Sequence, residues 1–179
     1  MDEVALATEA DEHWMTIPAV RLGVVPGTLR TPDAFALVTR AETPHLRIEL
    51  YRSPDEYGVD AFQSAVVWER FVVIGAWEHV YFIDLESDQW DAIAFDLEAY
   101  FGSMKVAGKR LLIASAERAF SFDANARLEW KSLPIGLDGV VFEEVRDGLV
   151  RGSGEWDPPG GWKPFVLSVT SGEVLRNAV

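Results

Sequence analysis

A weak threefold repeat in the last two thirds of the chain is the feature that most constrains its fold. The segment Ile74–Ala76 recurs as Ile113–Ser115 and as Arg151–Ser153, so the copies follow one another at nearly equal steps along the chain. Each copy is followed by an aromatic or aliphatic stretch, namely Val80–Asp84, Ala119–Asp123 and Phe165–Val169. A fixed period of about 40 residues with β composition is typical of stacked four-stranded units. The repeat therefore predicts an all-β protein.

The repeat divides the chain into an irregular first part and three similar units. Turn residues such as Gly108, Asp147-Gly148 and Ser171-Gly172 separate short apolar stretches throughout the later part, which is the pattern of strands joined by tight turns. We therefore expect three four-stranded antiparallel meanders, at about residues 64–97, 98–136 and 137–179. A β-sandwich of two sheets is the alternative arrangement of the same strands.

Residues 1–63 are predicted to form an acidic lead followed by irregular strands. The lead, from Met1 to Glu12, is rich in carboxylates, and we expect a mobile segment or a frayed short helix there. Strand-like stretches follow at Ala19–Val25, Ala34–Arg40 and Leu46–Arg52. Apolar and polar residues alternate in the last stretch, which predicts a half-buried strand with Leu46, Ile48 and Leu50 on its inner face.

The turns that end the units resemble those of a known family. The segment Asp123–Trp130 resembles the end of a β-propeller blade of the quinoprotein-dehydrogenase-like kind, which often reads Asp-x-x-x-Gly-x-x-x-Trp. Val169–Leu175 is similar to the same turn, and Asp84–Trp90 is a looser copy. This chain departs from the pattern at Asn125-Ala126, where a Gly is usual.

The resemblance implies blade-like units, and propellers typically close with four to eight blades. A closed propeller requires residues 1–63 to act as a fourth, irregular blade; otherwise the units pack as an open stack or a two-sheet sandwich. The quinone cofactor of the family is not implied, because the enzymes that bind it have far more blades. The dipeptide Trp156-Asp157 is similar to the one that ends strands in WD-type propellers, but it is predicted to lie inside a Pro-Gly loop. The dipeptide therefore does not indicate a WD-type repeat.

Charge and cysteine content exclude several classes of function. The 179 residues carry 16 basic and 29 acidic side chains, for a net charge of −13. Such a chain does not neutralise phosphates, and anionic membrane surfaces repel it. The absence of Cys excludes disulfides, thiolate metal sites and a Cys nucleophile. The start is acidic and lacks an apolar signal stretch, so we expect a soluble, cytoplasmic protein.

The third unit contains an insertion. The second and third strands are equally spaced in the first two units, as measured from Ile74 to Asp84 and from Ile113 to Asp123, but the corresponding span from Arg151 to Val169 is much longer. The extra residues, Gly154–Gly161, are predicted to form a loop that Trp162 follows directly. This loop brings together the candidate binding residues Glu155, Trp156, Asp157 and Trp162.

Three interpretations of this loop remain open. In the first, the Trp rings fold over the end of the sheet and the loop is structural. In the second, it recognises a protein or ligand through Trp, which is enriched at binding hot spots. In the third, a sugar stacks on Trp while Glu155 and Asp157 act in glycoside hydrolysis, which requires two carboxyls about 5–5.5 or 6.5–9.5 Å apart.

Metal and catalytic signatures are weak. A Ca²⁺ site built from oxygen ligands has candidates in Asp138, Asp147, Glu155 and Asp157, but they lack a regular ligand spacing. Glu143, Glu144 and Asp147 are predicted to form a solvated edge, and the three His residues stand far apart. The chain has no Gly-rich phosphate loop with a helix after it and no Gly-x-Ser-x-Gly elbow. The sequence predicts no metal, no cofactor and no catalytic residue.

The sequence favours a non-catalytic binding or scaffold protein that presents a Trp-containing loop from a β-repeat scaffold. The alternative is a carbohydrate-binding protein or glycoside-acting enzyme that uses Glu155 and Asp157. The partner is accordingly a protein, a small molecule or a glycan, and not a nucleic acid or a membrane. Exposed edge strands also allow pairing with a second copy of the chain.

Overall fold

The computed structural model describes residues 1–23, 30–52, 62–156 and 160–177, and these form four sheets of four strands. Sheet I contains β1 (Asp2–Ala7), β2 (Ala19–Gly23), β3 (Ala34–Arg40) and β4 (Thr43–Tyr51), with helix α1 (Glu12–Met15) between β1 and β2. Sheet II contains β5 (Ser64–Trp68), β6 (Phe71–Ala76), β7 (His79–Asp84) and β8 (Ala92–Asp96). Sheet III contains β9 (Phe101–Ala107), β10 (Arg110–Ser115), β11 (Ala119–Phe122) and β12 (Leu128–Lys131). Sheet IV contains β13 (Val140–Arg146), β14 (Leu149–Trp156), β15 (Gly161–Ser168) and β16 (Val174–Asn177).

The three predicted meanders are confirmed. Sheets II, III and IV each pair consecutive strands antiparallel, and no sheet of the described residues closes into a barrel. Their second strands begin at Phe71, Arg110 and Leu149, which are equally spaced along the chain. The counterpart of Ile113 is therefore Gly152, and not Arg151 as the sequence pattern predicts. A slip of one residue moves a side chain to the other face, and Gly152 is indeed buried where Arg151 is exposed.

Sheet I has a different topology, with the order β1-β3-β4-β2 and a parallel pair between β2 and β4. The expectation of a mobile or helical lead is wrong for Asp2–Ala7, which pairs with β3 along its whole length. The reason is that Val4 and Leu6 alternate with more polar or smaller residues and pack into the core of sheet I. The short helix follows at Glu12, where the Asp11 carboxylate accepts a hydrogen bond of 3.0 Å from the Trp14 amide.

Three hydrophobic cores separate the four sheets, so the sheets stack in a row instead of forming a two-sheet sandwich. In β6, Val72 and Ile74 face sheet I while Phe71 and Val73 face sheet III. The strand β10 repeats this arrangement between sheets II and IV. Both strands are apolar nearly throughout because both of their faces are buried.

The first strands of the sheets lie side by side along one edge of the row, with β1 next to β5, β5 next to β9 and β9 next to β13. Equivalent backbone hydrogen bonds connect the sheets at this edge, from the Phe101 amide to the Trp77 carbonyl and from the Gly139 amide to the Ala116 carbonyl. Within each sheet, one end of the strands is the end at which the first strand begins. We call this end of sheets II, III and IV, where β5, β9 and β13 begin, the entry rim. Antiparallel pairing places the β6–β7 and β10–β11 turns at this same end.

The strand β4 is buried on both faces, which corrects the prediction of a half-buried strand. Leu46, Ile48 and Leu50 face the core as expected. On the opposite face Arg47, Glu49 and Tyr51 are also buried. A carboxylate oxygen of Glu49 lies 3.0 Å from Arg47 Nη2, and the other accepts hydrogen bonds from Arg21 at 3.1 Å and from the Tyr51 hydroxyl at 2.9 Å.

The Arg47 guanidinium connects this ionic cluster to α1, since its Nη1 donates to the Trp14 carbonyl at 3.1 Å. The buried guanidinium of Arg47 thus holds α1 against the outward face of sheet I. The other strand stretches predicted in residues 1–63 correspond to β2 and β3, and residues 24 and 25 lie outside the described residues.

Candidate functional site

The predicted loop insertion is in large part an extension of the β14–β15 hairpin. Glu155 pairs with Trp162 and Trp156 with Gly161, so the prediction of a loop is wrong for these strand residues. Trp156 is the last residue of β14, which also corrects its assignment to the interior of a loop. Residues 157–159 are outside the described part of the chain, and the candidate Asp157 is one of them.

Gly154 permits this extended hairpin to lie close to the preceding segment. A methyl group at Gly154 would lie 1.8 Å from the carbonyl oxygen of Ile135, a distance that no side chain tolerates. The Glu155 backbone then binds the same segment: its amide donates to the Gly139 carbonyl at 2.8 Å, and its carbonyl accepts from the Leu137 amide at 2.6 Å. Glu155, next to the last residue of β14, is therefore held through its backbone.

The structure brings Glu155 and Trp162 together and separates Trp156 from them. Glu155 and Trp162 are cross-strand partners and share a face of the sheet, whereas Trp156 is on the other face. The side chains of Glu155 and Trp162 both approach Gly139. A methyl group at Gly139 would lie 3.1 Å from Trp162 Cη2 and 3.8 Å from Glu155 Oε2. Trp162 remains 51% exposed beside this partly buried carboxylate.

A row of three side chains continues from this point across sheets IV, III and II. Phe62, Tyr100 and Asp138 follow one another at equal intervals along the chain and stand just before the first strand of each sheet. The rings of Phe62 and Tyr100 stack, with centroids 6.0 Å apart and planes inclined by 14°. The Tyr100 hydroxyl donates to the Asp138 carbonyl and lies 3.2 Å from its Oδ1.

We call the five residues that meet at the entry rim the rim patch: Phe62, Tyr100, Asp138, Glu155 and Trp162. Sequence reasoning found Glu155 and Trp162, considered Asp138 only as a metal ligand, and missed Phe62 and Tyr100. The signal for the missed pair was their spacing, which nearly equals the repeat period. The patch combines aromatic rings with carboxylates at one end of the sheets.

Burial raises the pKa of Tyr100 to about 12, and the negative charge of Asp138, the hydrogen bond to it and the charge of Glu155 add to this shift. The hydroxyl is therefore neutral near pH 7 and acts as a hydrogen-bond donor. A group with so high a pKa is poorly matched to general base catalysis at neutral pH.

This shift predicts a pH dependence of stability. The folded state holds the Tyr100 proton more tightly than the unfolded state, whose pKa is near 10.0. The associated stability is present below that value and is lost as the pH rises toward 12. We expect the free energy of unfolding to fall more steeply between about pH 10 and about pH 12 in the wild type than in Tyr100→Phe. Urea denaturation at several pH values measures this, and parallel curves would contradict it.

The described residues contain no group of three or more His, Asp or Glu side chains placed to hold a metal. Of the candidate Ca²⁺ ligands, Asp138 and Glu155 lie at the entry rim, while Asp147 lies in the β13–β14 turn at the other end of sheet IV and contacts Arg146 at 3.3 Å. Glu143 and Glu144 are exposed and interact with Ser153 and Arg151.

Two cavities flank the seam between sheets I and II. One of about 610 Å³ lies beside the rim patch, since Gln63, the residue after Phe62, lines it together with Thr8, Glu9 and Asp33. The other, of about 580 Å³, lies at the opposite end, and its two arginines are engaged by carboxylates, Arg40 by Asp2 and Arg70 by Asp84. The first cavity extends the surface available at the entry rim.

Comparison of the chain with protein-family models and with curated proteins gives no match. In the described ranges, no helix has the length and apolar character needed to cross a membrane.

Proposed function

We propose that this protein is a non-catalytic binding protein whose contact surface is the rim patch. The observation that carries the proposal is the pair of half-exposed aromatic rings, Phe62 at 42% and Trp162 at 51%, set beside carboxylates at one end of the sheets. Exposed apolar groups bordered by polar ones mark interaction sites, and Trp and Tyr are enriched among binding hot spots.

The rigidity of the patch supports the same proposal. Phe62, Tyr100 and Asp138 lie just before strands, whereas Glu155 and Trp162 are paired within β14 and β15. The backbone bonds of Leu137, Gly139 and Glu155 connect β14 to the segment before β13. Tyr100 is restrained twice, by stacking on Phe62 and by the hydrogen bonds to Asp138. A surface that is ordered before binding loses less conformational entropy when a partner arrives.

The proposal predicts that Trp162→Ala weakens partner binding by at least about tenfold, because truncating a hot-spot residue costs about 2 kcal/mol or more. The full-length protein is immobilised and exposed to extract, and captured proteins are quantified for wild type and variant. Ile93→Ala is the matched control, since Ile93 is equally exposed, at 51%, but lies on β8 away from the rim. It should capture the same proteins as the wild type.

Two results would contradict the proposal. One is capture that does not differ between wild type and Trp162→Ala. The other is global unfolding of Trp162→Ala, measured by circular dichroism, which would make the ring structural. Trp156→Ala provides the comparison, because Trp156 is on the other face of β14 and its loss should not alter contacts made by the patch.

A further inference from the structure

We infer that the rim patch receives an arginine side chain from a basic segment of a partner protein. This inference rests on the proposed binding function and specifies the chemistry of the partner. The site of the cation is the exposed ring of Trp162 near the Glu155 carboxylate, and Asp138 directly precedes the Gly139 that both side chains approach. Three features of the structure carry it: the charge at the entry rim, the juxtaposition of ring and carboxylate, and the restraint on Asp138.

Four carboxylates lie at the entry rim. Glu78 in the β6–β7 turn and Glu117 in the β10–β11 turn lie at the same end as Asp138 and Glu155. None of these four forms an ion pair with another residue of the described ranges. The chain as a whole carries −13. Such a surface attracts basic partners and repels acidic ones.

The ring and the carboxylate are placed to hold a cation together. Trp is the best aromatic partner for a cation, which binds within about 6 Å of the ring centroid. Glu155 Oε2 and the edge of Trp162 both approach Gly139, so a guanidinium over the ring is close to the carboxylate. Arginine suits this site better than lysine, because its planar group stacks on rings and forms paired hydrogen bonds to carboxylates.

Asp138 is held in place by the neighbouring repeat unit. The Tyr100 hydroxyl binds both the carbonyl and the carboxylate of Asp138, and the amide of Asp138 lies 3.3 Å from the Glu155 carbonyl. The carboxylate is acceptor-only when ionised, so it keeps capacity for a donor from outside. The patch therefore offers one restrained acceptor, the Asp138 carboxylate, in addition to the Glu155 carboxylate near the exposed ring of Trp162.

The test uses the full-length protein and three fluorescein-labelled octapeptides, in which Gly alternates with Arg, with Gln or with Glu. Binding is measured by fluorescence anisotropy at low and at high salt. We expect the Arg peptide to bind, and the Gln and Glu peptides not to. Glu155→Gln and Trp162→Ala should each raise its Kd by about tenfold, the effect of losing one charge-assisted contact. Added salt should weaken the binding.

The control is Asp147→Asn, which removes the same charge from an exposed carboxylate at the far end of sheet IV. It should change the Kd less than about twofold, since screening limits the effect of a distant charge. Equal changes in Kd for Asp147→Asn and Glu155→Gln would show that the peptide is held by nonspecific charge attraction, and would overturn the inference. Equal affinity for the Gln peptide, or no affinity for the Arg peptide, would overturn it too.

These outcomes separate the inference from the proposed function. If a captured protein depends on Trp162 but the Arg peptide does not bind, the patch binds a partner of other chemistry and only the inference fails. If no captured protein depends on Trp162, the proposed function itself fails.

Discussion

Replacing Glu49 by Gln is expected to lower the free energy of unfolding by about 3–5 kcal/mol, the cost of leaving one member of a buried ion pair without its partner. The side chains of Arg47 and Glu49 are only 8% and 5% exposed, with 3.0 Å between them. The Nε of Arg47 has no hydrogen-bond partner among the described residues, so the guanidinium depends on the Glu49 carboxylate for its compensation. Arg21 and Tyr51 lose the charge of their shared acceptor oxygen as well.

Urea denaturation measures this loss, and Asp84→Asn is the matched control. Asp84 pairs with Arg70 at 2.8 Å on a far more exposed surface, where such pairs contribute about 0–1 kcal/mol. The double variant Arg47→Met/Glu49→Leu should recover most of the stability, because apolar residues of similar size often replace a buried pair without loss. A change below about 1 kcal/mol in Glu49→Gln would mean that water reaches the cluster.

The burial of Arg47 and Glu49 could not be predicted from the sequence. Alternation in β4 correctly predicted which face carries Leu46 and Leu50, since side chains alternate in any strand. It did not reveal that the opposite face is buried, because that depends on which other segments cover the sheet. The charged residues Arg47 and Glu49 read as solvent-facing in sequence, and only their mutual pairing makes their burial tolerable.

The three meanders were predictable for the opposite reason, since their signals are local. Short apolar strands and tight turns such as Asp147-Gly148 define each hairpin within a short stretch of chain. In β1, by contrast, pairing with β3, which is distant in sequence, overrides the acidic composition of the lead. That these sheets are propeller blades stays a prediction.

The candidate site was half predictable from sequence. An interrupted repeat period drew attention to Glu155 and Trp162, although part of the predicted insertion lengthens β14 and β15. Phe62, Tyr100 and Asp138 lie at similar positions in successive units, but only the first two are aromatic and no residue type recurs. A search for recurring residue types does not detect this set. The three side chains are recognised as a group only in the folded protein, where the packing of the sheets brings them into contact.

The second large effect on stability is expected at the contact between sheets II and III, next to Tyr100. Phe101 follows Tyr100 directly, is buried, and fills a recess over Gly75 of sheet II. A methyl group at Gly75 would lie 2.1 Å from Phe101 Cε2, so the ring occupies the space that any other residue would claim. We expect Phe101→Ala to lower the free energy of unfolding by about 3–5 kcal/mol through the cavity it leaves.

The same contact predicts a specific coupling between the two sheets. Gly75→Ala alone should cost about 1–3 kcal/mol by overpacking, but much less when Phe101 is already Ala, because the new methyl group then enters the vacated space. The four proteins of this cycle are compared by urea denaturation. Phe122 is the control, since it is buried in the same core but contacts Phe82 and Phe95. The loss of unfolding free energy caused by Phe122→Ala should add to the loss caused by Gly75→Ala, as the effects of independent sites do. Additivity for Phe101 as well would show that this ring does not join sheets II and III, and the rim patch above it would lose its rigid support.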